Sequence, residues 1–336
     1  MENTAFKALV VEETEPDLFS RAVKERFTDQ LPDGEVLVRV AYSSLNYKDA
    51  LSATGNRGVT REFPHTPGID AAGTVQASSH QDFHTGDKVI VTSYDLGMNT
   101  PGGFGQYIRV PAEWVVPLPD NLTLEESMVL GTAGFTAAMS VERLAPGVET
   151  SQGPVLVTGA TGGVGSLACA ILAKLGYEVA AVSGKPDDGF LKSLGVSTVI
   201  PRQEFLENTK APMLKPVWAG VVDTVGGDIL ATAIKATQES GIVTCCGLVA
   251  SPNLPITVFP FILRGVSLFG IDSQHCPMPL RRDLWEWLAN DWKPDIPGNM
   301  ITRTGLDGLE SHIRKILAGQ VKGRTLVSLA PEENSV

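Results

Sequence analysis

The chain has 336 residues, 43% of them hydrophobic and 19% charged. That composition belongs to a folding chain long enough for two domains, and it excludes both a disordered chain and a disulfide-stapled miniprotein. A net charge of −11 opposes binding to nucleic acid or to an acidic membrane surface. No apolar run approaches the roughly 20 residues of a membrane span. The four cysteines form no C-x-x-C pair, so reduced thiols and a cytoplasmic location are expected.

Segments 36–40, 73–76, 88–92 and 107–110 are short, rich in Val and Ile, and separated by Gly, Pro, Asp and Asn. They predict an irregular β-rich domain over 1–125. Thr123 and Glu126 form a capping box ahead of an apolar run, so a helix should open there and carry the chain into a second domain over 126–289. In that domain, apolar strands at 155–158, 178–183, 197–200, 219–223, 242–246 and 266–271 alternate with helix-length connections. Such a pattern predicts an α/β fold, a parallel sheet covered on both faces. Past Pro277, a helix at 280–288 is followed by a Pro- and Gly-rich loop, a helix at 306–317 and a strand at 325–329. The stripe of Leu306, Leu309, Ile313 and Leu317 reads as core packing.

Val155-Leu-Val-Thr-Gly159-Ala-Thr-Gly162-Gly163-Val-Gly165 reads as a strand, a glycine turn and a helix start. Glycines allow the tight turn and close backbone approach, while the helix N-terminus turns free N–H groups toward a pyrophosphate. Thr161, Gly162, Gly163 and Val164 are therefore candidate phosphate contacts; a glycine-rich structural turn is the alternative. The second strand ends in Ser183-Gly184-Lys185, without the acidic residue that bonds a ribose 2'-hydroxyl in NAD sites. A hydroxyl and a cation suit a 2'-phosphate, so NADPH is preferred over NADH. A solvated turn is the alternative for Lys185. Arg202, after the third strand, is a candidate for the adenine side or an exposed loop residue.

Beyond these elements, Ser43-Ser-Leu-Asn-Tyr-Lys-Asp49, Pro67-Gly-Ile-Asp-Ala-Ala-Gly-Thr-Val75, Gly131-Thr-Ala-Gly-Phe-Thr136, Asp223-Thr-Val-Gly226 and Gly323-Arg-Thr-Leu-Val327 stand in order along the chain. Together with the glycine turn they resemble the zinc-independent quinone oxidoreductase branch of the medium-chain dehydrogenase/reductases, and within it the acrylyl-CoA reductase subgroup. The resemblance covers essentially the whole chain. It implies a GroES-like β-rich catalytic domain over 1–125, completed by 290–336, and a Rossmann NADPH-binding domain over 126–289. It also implies cofactor contacts from Tyr47, Leu248, Ile271 and Arg324, and a homodimer paired across the apolar stretch 256–271, whose alternative is burial within the monomer.

Zinc-dependent relatives place their catalytic ligands at positions that here correspond to Asn46, Ile69 with Asp70, and Thr132. Neither imidazole nor thiolate stands at these places, so no metal is expected. The implied reaction is hydride delivery from NADPH to the β-carbon of an activated alkene, followed by protonation of the α-carbon. Tyr47, Asn46 and Asp70 are the candidate catalytic residues. Tyr47 would act as hydrogen-bond donor or acid, Asn46 would orient the ligand, and Asp70 would tune Tyr47; the alternatives are packing, a stabilised loop and a turn cap. Acrylyl-CoA is the specific acceptor expected, and its anionic CoA thioester calls for local cations, with Arg281 and Arg282 as candidates. A free quinone or small enone is the alternative acceptor, and an NADPH-binding sensor or structural protein the alternative outside catalysis.

Overall fold

The computed structural model describes residues 3–185, 188–207 and 209–329. The chain begins with β1 (Ala5–Glu15), β2 (Leu18–Phe27), β3 (Val36–Leu45), α1 (Tyr47–Ala53), β4 (Asp70–Ser78), β5 (Lys88–Thr92), β6 (Tyr107–Val110), β7 (Val115–Pro117) and α2 (Leu124–Leu144). There follow β8 (Val155–Thr158), α3 (Gly163–Lys174), β9 (Val179–Ser183), α4 (Asp188–Ser193), β10 (Thr198–Pro201) and α5 (Arg202–Phe205). Next come β11 (Trp218–Asp223), α6 (Gly227–Lys235), β12 (Thr237–Cys245), α7 (Phe259–Arg264) and β13 (Ser267–Gly270). The chain closes through α8 (Met278–Ala289), β14 (Ile301–Gly305), α9 (Leu309–Leu317) and β15 (Arg324–Ser328).

Two compact units result. One takes in the chain as far as Thr132, Gln274–Asp283, and the chain from Ile301; the other comprises Ala133–Ser273 and Leu284–Met300. The first break falls at Thr132, whereas the sequence pattern places it at 125. The capping box does open α2, with the Glu126 N–H donating to Thr123 Oγ1 and the Thr123 N–H to Glu126 Oε2. The first two turns of that helix nevertheless belong to the β-rich unit, because Val129 and Thr132 are hydrogen-bonded into its interior. Gln274–Asp283 joins the same unit through Arg281, which donates to Thr92, and Gln274, which accepts from Lys48.

In the β-rich unit the main sheet runs β14-β15-β3-β4-β5-β7, with β6 pairing β3, and a separate hairpin joins β1 to β2. Its core gathers Val36, Val38 and Val40 of β3, Val89 and Val91 of β5, and Leu309 and Ile313 of α9. Leu306 and Leu317 pack against this core at their half-buried positions. The β1–β2 hairpin is absent from the apolar pattern because β2 carries Arg21, Lys24, Glu25 and Arg26 and buries no residue fully. Strand β3 runs five residues past the expected 36–40 because Ser43 and Ser44, polar but wholly buried, pair with β15.

The second unit is built on a six-stranded sheet of order β10-β9-β8-β11-β12-β13, with every neighbouring pair parallel. Strands β8, β9 and β11 are buried along their whole length, as a sheet covered on both faces requires. The order is the doubly wound Rossmann arrangement, and the chain reverses direction across the sheet between β8 and β11, the switch point where such folds bind ligands. Among the described residues, no helix is long and apolar enough to cross a membrane.

Candidate active site

The glycine cradle lies at the switch point of the Rossmann unit. Gly159 leaves β8 at φ +61°, a left-handed conformation that glycine adopts without strain. A Cβ there would collide with Thr224 Oγ1, and one at Gly165 would collide with the carbonyl of Gly159. The two glycines thus let strand, turn and α3 close on each other. Gly162 precedes the helix in an extended conformation and Gly163 is its first residue. Helix N-termini carry unpaired N–H groups, so the residues present fit a pyrophosphate.

Asp223, fully buried at the end of β11, holds the two sides of the cradle together. Its carboxylate accepts from Thr158 Oγ1 at 2.6 Å and from the Gly226 N–H at 2.8 Å. Thr224 Oγ1 donates back to the Thr158 carbonyl. Burial pushes the Asp223 carboxyl pKa up, while the Thr158 hydroxyl and the Gly226 and Val225 N–H groups pull it down. Cys245 ends the neighbouring strand, and its thiol is pushed up to about 11 by burial and the Asp223 charge. A thiol so shifted is a poor nucleophile.

At the end of β9, the Ser183 hydroxyl donates to the Lys185 carbonyl and accepts the Lys185 N–H. This small turn presents Gly184 to Arg202. A Cβ on Gly184 would lie 2.6 Å from Arg202 Cζ and 2.7 Å from Nη2, so the guanidinium rests directly on the glycine. Ser183, Gly184 and Arg202 are thus brought together where a 2'-phosphate is expected, with Lys185 next in the chain. Leu248, by contrast, is 66% exposed in the loop after β12, and Ile271 is half-buried just beyond β13.

In the β-rich unit, a polar cluster is buried around Asp70. Its carboxylate accepts Ser44 Oγ at 2.5 Å, Asn46 Nδ2 at 2.7 Å, Thr132 Oγ1 at 2.6 Å and the Thr132 N–H at 3.0 Å. Arg324 closes the cluster. Its Nε donates to the Val129 carbonyl at 2.9 Å, Nη1 to Asn46 Oδ1 at 3.1 Å, and Nη2 to Ser44 Oγ at 2.8 Å. Burial lowers the Arg324 pKa, against the charges of Asp70 and Asp49. Gly131 makes room for all of this. It interrupts α2 at φ +52°, ψ −157°, and a Cβ there would lie 2.5 Å from Asp70 Oδ2, 2.6 Å from Ser44 Oγ and 2.9 Å from Arg324 Nη2.

Three expectations change on this geometry. Arg324, expected among the cofactor contacts, has all three guanidinium nitrogens bonded inside its own unit. Asn46 and Asp70, expected to act on substrate, have their polar atoms hydrogen-bonded to each other and to Ser44, Asp49, Thr132 and Arg324. Arg281 is no entrance cation either: it is fully buried, donates to the carbonyl and hydroxyl of Thr92, and lies 4.3 Å over the Tyr94 ring. Arg282 is exposed.

Asn46 also caps α1, with Asp49 reaching back to the Asn46 N–H at 2.7 Å. That Asn-x-x-Asp spacing is the legible sign of a positioning role for Asp49; Ser44 and Gly131 carry no comparable sign. Tyr47 follows as the first helical residue and is 40% exposed.

Residues 32–120 match the family model described as alcohol dehydrogenase GroES-like domain, and 163–290 the model described as zinc-binding dehydrogenase. The acrylyl-CoA reductase AcuI of Ruegeria pomeroyi is 46% identical over 327 residues, covering 96% of this chain and 99% of that protein. The crystal structure of Escherichia coli K-12 YhdH with bound NADPH superposes with a TM-score of 0.91 at 42% identity, covering 96% of this chain and 100% of the other. Bacillus subtilis yhfP with NAD bound gives 0.94 at 46% identity, covering 97% and 100%. The fold and the cradle define the class of two-unit dehydrogenases and reductases. Within it, the chain belongs to the medium-chain dehydrogenase/reductase family, in the acrylyl-CoA reductase subgroup.

The donors around Asp70 do not fit a zinc ion. Asn46, Asp70 and Thr132 do converge, but they offer oxygen and amide nitrogen only, and Arg324 fills the space beside them. Among the described residues, no group of three or more His, Cys, Asp or Glu side chains is placed to hold a metal.

Asp49 yields a pH prediction. Burial and the Asp70 charge push its carboxyl up to about 7, against donation from Asn46 and the Ile69 N–H. With a folded pKa above the unfolded value near 3.9, the folded state holds the extra proton between about pH 4 and 7. The contribution of Asp49 to stability should therefore fall across that window and stay flat above it. Melting curves of wild type and Asp49→Asn from pH 5 to 8 should show the variant gaining on wild type as pH rises; a constant difference would mean that the N–H donors outweigh burial.

Proposed function

We propose that the chain catalyses NADPH-dependent reduction of an activated carbon–carbon double bond, with acrylyl-CoA as acceptor and propanoyl-CoA as product. The observation that carries this reading is 46% identity to an acrylyl-CoA reductase across nearly the whole of both chains, joined to a Rossmann cradle and the exposed Tyr47. The bound cofactor supplies a hydride from C4 of its nicotinamide for the β-carbon of the acceptor.

The chain's own residues supply placement and electrostatics. Thr161, Gly162, Gly163 and Val164 hold the pyrophosphate at the start of α3. Ser183, Gly184, Lys185 and Arg202 hold the 2'-phosphate. The phenol of Tyr47 donates a hydrogen bond to the thioester carbonyl oxygen as enolate charge develops there, and its orientation is set by Asn46 and the cluster below. Leu248 and Ile271, at the carboxyl ends of β12 and β13, offer backbone groups to the nicotinamide. A protein that only binds NADPH would need none of the ordering beneath Tyr47.

Arg202→Ala together with Lys185→Ala should weaken NADPH by 10-fold or more and change NADH by less than 3-fold, since one charge-assisted phosphate contact is worth about 1.5–3 kcal/mol. Equal weakening of both cofactors, measured by fluorescence titration, would remove the 2'-phosphate assignment.

NADPH absorbance followed with acrylyl-CoA, 1,4-benzoquinone and a small enone in parallel should show saturable turnover favouring the thioester. Tyr47→Phe should lower kcat roughly 10- to 100-fold at unchanged NADPH affinity, in the range of one lost transition-state donor. Turnover confined to quinone or enone would replace the acceptor, and full activity of Tyr47→Phe would leave that ring as packing.

The same reading makes the protein a homodimer. β13 is the edge of its sheet, and near it Val258, Ile262 and Leu263 are 63%, 67% and 63% exposed. An apolar edge of this kind is normally covered. Sedimentation velocity should give a dimer that Ile262→Glu converts to monomer; a wild-type monomer would overturn it.

A further inference from the structure

A buried carboxylate needs a counter-charge as well as hydrogen bonds. Two carboxylates, Asp70 and Asp49, are fully buried within this cluster and both act on Arg324. Arg324 Nη2 lies 3.9 Å from Asp70 Oδ2, with both side chains almost wholly buried. This guanidinium is also held on three sides, by Val129, Asn46 and Ser44. Its bond to Asn46 Oδ1 fixes which way the amide faces: the oxygen must point to Arg324 and the nitrogen to the carboxylates. Asn46 in turn caps the helix whose first residue is Tyr47.

We propose that Arg324 is the fixed internal cation of the Asp70 cluster, a positioning residue that stands where Asn46, Asp70 and Thr132 would otherwise surround a metal ion, and that through Asn46 sets the orientation of the Tyr47 turn. Packing supports the substitution of guanidinium for ion. Gly131 already brings backbone so close that a single added carbon would touch Asp70, Ser44 and Arg324 together, which leaves no volume for a hydrated cation. The planar fork matters as well as the charge, because Nε and Nη1 reach Val129 and Asn46 at once, a span that an ammonium group lacks. The effect on Tyr47 rests on the proposed reductase reading; the charge pairing with Asp70 does not.

The test uses the full chain. Arg324→Met should lower the Tm by roughly 5–10 °C, the scale expected for stranding a buried charge. Arg324→Met/Asp70→Asn should recover at least half of that loss. With the acceptor that oxidises NADPH fastest, Arg324→Met should lower kcat 30-fold or more while the KM for NADPH stays within 3-fold. Arg324→Lys keeps the charge without the fork, so its Tm should stay within about 3 °C of wild type while kcat falls 10-fold or more. If Arg324→Met does not fold, Arg324→Lys decides alone.

Wild-type kcat in Arg324→Lys or Arg324→Met would overturn the positioning role. Failure of Asp70→Asn to rescue Arg324→Met would overturn the charge pairing, and so would a wild-type Tm loss of more than 5 °C after dialysis against a chelator. If no acceptor is reduced, the reductase reading fails, and the Tm arms still decide the internal cation.

Discussion

A carboxylate taken wholly out of water must regain its hydrogen bonds from the protein, and in this chain Asp70 sets that demand. Leaving such a group unpaired would cost several kcal/mol, so the chain brings four donor groups to it from three places: Ser44 at the end of β3, Asn46 at the cap of α1, and the backbone and hydroxyl of Thr132. Each of those donors fixes a piece of backbone. The β3 terminus, the start of α1 and the break in α2 thus meet at one buried carboxylate.

The Rossmann unit uses the same device with a different purpose. Asp223 is buried at the switch point and ties β8 to the turn after β11 through Thr158, Val225 and Gly226. The glycine cradle can then stay open toward a ligand because its walls are pinned from behind. In both units, a buried acid stiffens the backbone beneath a helix start: that of α3 in one case, that of α1 with Tyr47 in the other. Preorganisation of this kind lowers the cost of ordering donors at the moment of reaction.

Structure is most legible in the sequence where one segment decides its own conformation. Strands 88–92, 107–110 and 155–158 stand where the apolar pattern places them, because a short branched run between turn residues has few other choices. The Thr123–Glu126 box likewise closes within four residues. The β1–β2 hairpin carries no apolar signature because its outer strand is charged and half-wet, and the far end of β3 carries none because a buried serine resembles a loop residue in the absence of its β15 partner. The glycine turn after β8 and the Ser183-Gly184-Lys185 turn are legible as local backbone geometry, whereas the hydrogen bonds that join Asn46, Asp70 and Arg324 are not, because they link residues far apart in the chain.

The sequence by itself determined the alternation of strands and helices, the glycine turn, the want of an acid at the end of β9 and the phenol beside Asn46, since each depends on residues close together in the chain. Only the tertiary structure decided that Arg324 is buried against Val129, Asn46 and Ser44, that Arg281 is buried against Thr92 and Tyr94, and that Gly131 is the empty volume into which the cluster fits. Those outcomes depend on residues 280, 189 and 278 positions apart in the chain meeting in one place. Burial, which sets whether a charged side chain binds a ligand or balances another charge, exists only once the chain has folded.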